Sequence, residues 1–93
     1  MPLHIVIAPT ALQDLKESSD WYNQQQPGLG NRFLRFADNK FAALAITPGI
    51  GSVRFDTVRC TSVNVFSHLI YYIATDTSII ILRVLHSSRK PLF

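Results

Sequence analysis

Apolar residues along this 93-residue chain change their spacing near its midpoint, from every third or fourth position to every second. The first stretch, Leu3–Ile7, alternates weakly and is rich in β-branched residues, which predicts a strand. Ala8-Pro9-Thr10 interrupts it, and a helix is expected from Pro9 or Ala11 to Gln26. Proline suits a first helical position, because its missing N–H would have no partner there. Thr10 with Gln13 offers a capping box as the other way to start. Leu12, Leu15, Ser19 and Tyr22 supply one face, flanked by Ala11 and Ser18, while Lys16, Glu17, Asp20 and Gln24 suit water. Pro27-Gly28 ends that helix. A second is predicted over Leu29–Ile46, with Phe33, Ala37, Phe41 and Leu44 in a stripe that Leu34 and Ala45 widen. Thr47-Pro48-Gly49-Ile50-Gly51 stops it, and the short link between the two helices predicts an antiparallel hairpin.

From Ser52 onward the pattern is that of strands. Val53–Val63 is rich in Val, Thr and Phe and contains a strand with a break near Asp56; Asn64–Ser67 is a turn. In the strand His68–Ala74, Leu69, Tyr71 and Ile73 share one face and His68, Ile70 and Tyr72 the other. Asp76-Thr77 turns into Ser78–His86, where Ile79–Leu82 is apolar on both faces, as in a central strand covered on both sides. The order β-α-α-β-β-β defines an α+β fold with an N-terminal strand and a helical hairpin packed on a mainly antiparallel sheet, expected as one domain over residues 1–93.

Composition changes that picture in one respect. Charged residues make up 16% of the chain against roughly 25% in typical soluble domains, which leaves less polar surface for the exterior. An obligate partner or an oligomer follows as an expectation. No apolar run of about 18 residues is present, and Met1-Pro2-Leu3-His4 lacks the basic start of a secretion signal. A single cysteine, Cys60, cannot form an internal disulfide, so a cytoplasmic location is expected. Charges cancel over residues 1–50, and the whole excess of +3 falls in the second half, on Arg54, Arg59, Arg83, Arg89 and Lys90. That asymmetry suits nucleic acid or an acidic partner, and it equally suits ordinary solubility.

Strong catalytic signatures are absent from the sequence. No glycine-rich phosphate loop occurs, and His4, His68 and His86 lack the spacing of a metal site, so neither metal nor cofactor is expected. Cys60 in mid-strand reads as a small buried hydrophobe before it reads as a nucleophile. The segment Arg83-Val84-Leu85-His86-Ser87-Ser88-Arg89-Lys90-Pro91 carries more. Arg83, His86 and Arg89 cluster at the end of the last strand, and Arg59 on a preceding strand is placed to join them across the sheet. Arginine forks suit phosphate or carboxylate; the plainer reading is a solvated tail. His86 is a candidate general base or a strand-end histidine bonded to a carbonyl. Trp21 and Phe36 lie beside the core stripes, which makes them candidates for burial under a partner.

Ala11-x-x-Asp14-Leu15, Trp21-Tyr22, Pro27-x-Leu29, Arg32-Phe33, Arg59, Val65-Phe66, Ile70-x-Tyr72 and Ile81-Leu82-Arg83-Val84-Leu85-His86-x-x-Arg89-x-Pro91 together resemble ParE-type toxins of the ParE/RelE superfamily, the plasmid-stabilisation type of type II toxin–antitoxin systems. The resemblance runs from Ile5 to Pro91. Ala8 stands where the family often has Ser or Thr, and nothing after Tyr72 is a tyrosine, the acid/base group that RelE-type nucleases typically carry near the C-terminus. Resemblance to ParE implies a growth-arresting inhibitor of DNA gyrase rather than an enzyme, neutralised by a cognate antitoxin on the helical hairpin and sheet edge. It assigns Arg59, Arg83, His86, Arg89 and Lys90 to the target, with direct nucleic-acid contact left open, and Trp21 and Phe36 to the antitoxin. Two alternatives follow: a ribosome-dependent mRNA endonuclease of RelE type using Arg59, Arg83 and His86, or an inactive or differently targeted binding module.

Overall fold

The computed structural model describes residues 2–88. Strand β1 (His4–Ile7) leads through Ala8, extended at φ −60° and ψ 149°, into helix α1 (Pro9–Gln25). Pro9 opens the helix, and the capping box does not form. Thr10 is committed elsewhere: its hydroxyl donates to the Leu82 carbonyl at 2.9 Å, while Gln13 donates to Glu17. Gly28 takes the left-handed backbone (φ 88°) that turns the chain into α2 (Leu29–Ile46), and Pro48–Ile50 add one 3-10 turn. The strands β2 (Ser52–Phe55), β3 (Val58–Ser62), β4 (His68–Ala74) and β5 (Ser78–His86) complete the α+β order expected from the sequence. The expected break at Asp56 is a hairpin turn with Asp56 at φ 51°, so the Val53–Val63 stretch yields two strands.

The sheet order is β1-β5-β4-β3-β2; β1 runs parallel to β5 and every other pair is antiparallel. One layer of core lies between hairpin and sheet: Phe33, Phe41, Leu44, Ile70, Tyr72, Ile79 and Ile81 are all at most 2% exposed. The other sheet face carries a smaller cluster of Val58, Cys60, Tyr71 and Leu85. Leu12 departs from expectation, at 59% exposed. The buried residues of α1 are Ala11, Asp14, Leu15 and Ser19, so the helix sits rotated from the expected face and brings a carboxylate inward.

That carboxylate meets the edge of β5. β1 pairs with β5 only as far as Ile7↔Ile81, and beyond that point the edge of β5 faces α1. Opposite β4 the register shifts between Tyr71 and Tyr72, which face Arg83 and Ile81; Leu82 is the extra residue of a bulge. Asp14 then serves the strand in place of β1. Its Oδ2 accepts from Val84 N at 3.1 Å and Arg83 Nε at 2.7 Å, and its Oδ1 accepts from Arg83 Nη2 at 2.9 Å. The fork matches the two oxygens one to one.

At the opposite end, Tyr72 ties the loop after α2 to the sheet. Its buried hydroxyl donates to the Pro48 carbonyl at 2.7 Å and accepts from Gly51 N at 2.9 Å. A Cβ on Gly51 would lie 2.7 Å from that hydroxyl oxygen and 2.8 Å from the Cys60 carbonyl. Gly51→Ala is therefore expected to destabilise the chain by about 1–3 kcal/mol through overpacking, and Tyr72→Phe by about 1–2 kcal/mol through a backbone N–H and a carbonyl left unpaired. Urea denaturation midpoints check both.

Candidate functional site

A hollow of about 330 Å³ opens between α1 and the ends of β4 and β5, lined by Glu17, Ser18, Trp21, His68 and His86. A smaller depression of about 130 Å³ continues it towards Asp14, Val84 and Leu85. Helical spacing explains the first wall: Glu17 and Trp21 are four residues apart and Ser18 and Trp21 three, so all face one side of α1. Strand pairing explains the second. His68 and His86 are directly opposed in the β4–β5 ladder, with ring centroids 5.2 Å apart and planes at 85°.

His68 is the organising residue and is buried. Its Nδ1 lies 3.2 Å from the Tyr22 hydroxyl and its Nε2 3.2 Å from Ser18 Oγ, so in either tautomer one ring nitrogen donates and the other accepts. Phe33 and Tyr22 enclose the ring at 4.8 and 5.5 Å. Burial first, and then the neighbouring His86, lower the His68 pKa to about 4, against the opposing pull of Asp14. Burial also raises the pKa of the Tyr22 hydroxyl. The centre of the site is therefore a neutral, hydrogen-bonded group at physiological pH. His86 is exposed, and its Nδ1 accepts from Ser88 N at 3.1 Å and lies 2.7 Å from Ser88 Oγ.

The structure separates the basic residues that the sequence suggested as one cluster. Arg59 belongs to the β2–β3 end, where its Nη1 donates to the Gly51 carbonyl at 2.7 Å. It pairs with Tyr72, which pairs with Ile81, so His86 lies five positions further along β5, on the order of 16 Å. Arg83 faces α1 and is bound to Asp14, which raises its pKa. Arg89 and Lys90 lie outside the described residues. Trp21 is 54% exposed on the rim of the hollow, against the edge of Tyr22. Phe36 is half-buried, packing on Phe66 and under the Arg32 guanidinium, and lines a separate depression with Lys40 and Asn64. Tyr22, Phe33 and Phe66 link these two aromatics into a continuous row.

Cys60 sits in the cluster on the far sheet face, where burial pushes its thiol pKa up more than the nearby Arg54 draws it down. Among the described residues, no three His, Cys, Asp or Glu side chains gather as a metal site would need. Nor is any helix among them long and apolar enough to cross a membrane. Sequence reasoning missed His68, Ser18 and Glu17 as a group. The one signal available was a histidine on the core-facing side of a strand.

The fold recurs in solved structures of toxin–antitoxin systems. The chain superimposes with a TM-score of 0.79 on a structure of the chromosomal ParDE toxin–antitoxin system of Pseudomonas aeruginosa, at 16% identity over 90% of this chain and 95% of that one. The RelBE2 toxin–antitoxin complex of Mycobacterium tuberculosis gives 0.66, at 24% identity over 92% and 99%. The YoeB dimer of Staphylococcus aureus gives 0.64, at 19% identity over 92% and 98%. No curated protein matches the chain. The family model of the ParE toxin of type II toxin–antitoxin systems matches residues 5–91, and the chain belongs to that family.

The depressed His68 pKa has a consequence for stability. Between pH 6.5 and about 4 the unfolded chain binds a proton at this residue that the folded chain does not. Stability therefore falls as pH drops through that window, by about 3 kcal/mol in total, and levels below it. Thermal melts at pH 7.5, 6.0 and 4.5 are expected to show this loss, and His68→Phe, which cannot titrate, to flatten it.

Proposed function

We propose that this chain is the growth-arresting toxin of a type II toxin–antitoxin pair that acts in the cytoplasm by inhibiting DNA gyrase and is held inactive by a cognate antitoxin. The observation that carries the gyrase reading is the dispersal of the groups an RNA-cleaving site would need. Arg59 is anchored on Gly51 at one end of the sheet, Arg83 is bound to Asp14, and His86 stands at the other end beside a histidine held neutral. A shaped surface, unlike a proton relay, does not require these groups to converge. Its target-facing part is the exposed His86 with the Arg89-Lys90 segment that follows it. Trp21 and the half-buried Phe36 are proposed for the antitoxin, consistent with their place at the two ends of an aromatic row.

One observation favours a ribosome-dependent mRNA endonuclease as the second reading. His86 is exposed, opposes His68, and lines a hollow large enough for a nucleotide base. Purified toxin added to gyrase and relaxed plasmid separates the two. Inhibited supercoiling with trapped cleaved DNA is expected, and Arg89→Ala with Lys90→Ala is expected to raise the half-inhibitory concentration about tenfold or more, as loss of charge-assisted contacts does. Arg83→Ala is unsuitable for this purpose because it removes a fold contact. Full gyrase activity at large excess of folded toxin would sink the reading. Cleavage of ribosome-bound mRNA that His86→Ala abolishes would then establish the second.

A further inference from the structure

The hollow between α1 and β4–β5 carries an acidic side chain in a basic protein. Asp14 and Arg83 neutralise one another there, and His68 is neutral at physiological pH. Among the described residues that line it, that leaves the exposed His86 and the Glu17 carboxylate, which accepts from the neutral amide of Gln13 at 3.0 Å. An acidic side chain thus lines this hollow in a protein whose formal net charge is +3. Its wall is aromatic: Trp21 lies one turn beyond Glu17 on α1 and is more than half exposed, and the His86 ring forms the opposite side. Among the described residues, the Nε and Nη2 donors of Arg83 already serve Asp14 and are not open to an anion.

A carboxylate beside an indole suits a side-chain cation, which gains from the charge and from the electron-rich ring face together. We propose that this hollow receives an arginine or lysine side chain of the antitoxin, seated between Trp21 and Glu17. The proposal rests on the reading that an antitoxin is the partner. It gives the exposed Trp21 the role of an interface anchor, where tryptophan and arginine carry a large share of binding energy. Ser18 and His68 form the floor and hold Tyr22 and the α1 backbone in place.

Trp21 is the chain's single tryptophan, so its fluorescence reports on this hollow. The full chain is titrated at neutral pH with N-acetyl-arginine amide, with the uncharged citrulline counterpart, and with a nucleoside monophosphate. A saturable change with the arginine compound alone is expected, weakened about fivefold by Glu17→Gln, the upper range for one partly solvated ion pair. An equal response to the citrulline compound, a response to the nucleotide instead, or indifference to Glu17→Gln overturns the proposal. A second measurement uses the protein encoded beside the toxin gene. Glu17→Gln combined with Trp21→Leu is expected to weaken that complex at least tenfold while the circular dichroism spectrum is kept. An unchanged affinity overturns the seat. No complex with the unaltered chain would instead refute the antitoxin as occupant, and the small-molecule titration separates that outcome from failure of the hollow.

Discussion

Asp14 is the residue on which the arrangement of this molecule turns. β1 is too short to cover β5, and a central strand cannot leave a buried backbone N–H without a partner. One carboxylate on α1 meets that need and fixes the helix against the strand, through two oxygens and three donors. The bulge at Leu82 belongs to the same device, because the extra residue lets Arg83 serve α1 while Val84 returns to the core. With α1 held at this angle, Ser18 and Tyr22 reach His68, and Glu17 and Trp21 form the wall of the hollow.

Most of the fold was legible in the sequence because spacing alone specifies it. The stripe Phe33, Ala37, Phe41, Leu44 is buried throughout, and the two faces of β4 divide as their alternation predicts. The errors came where a distant residue outcompetes a local preference. Thr10 has the position of a capping residue, but the Leu82 carbonyl, 72 residues away, takes its hydroxyl. Leu12 fits the apolar stripe of α1, yet the helix is turned so that Asp14 points inward.

The site was less legible for the same reason. His68 bonds Tyr22 and Ser18, which are 46 and 50 residues away, and no spacing rule connects them. Arg83 shows the converse failure. Read locally it is a basic residue at a strand end, available to a target; in the structure its fork is spent on a fold contact. The family's basic C-terminal pattern therefore combines residues of different duty. Arg83 holds α1 against β5, whereas His86 is exposed and is proposed, with Arg89 and Lys90, for the target.

The measurement that tests this account most directly is a double-mutant cycle on Asp14 and Arg83. Urea unfolding free energies are compared for the unaltered chain, Asp14→Asn, Arg83→Gln and the double variant. The account predicts a coupling energy of about 1 kcal/mol or more, as for contacting members of one partly buried network. Additive effects, with coupling within about 0.5 kcal/mol of zero, would contradict it. They would return Arg83 to the residues available for a target.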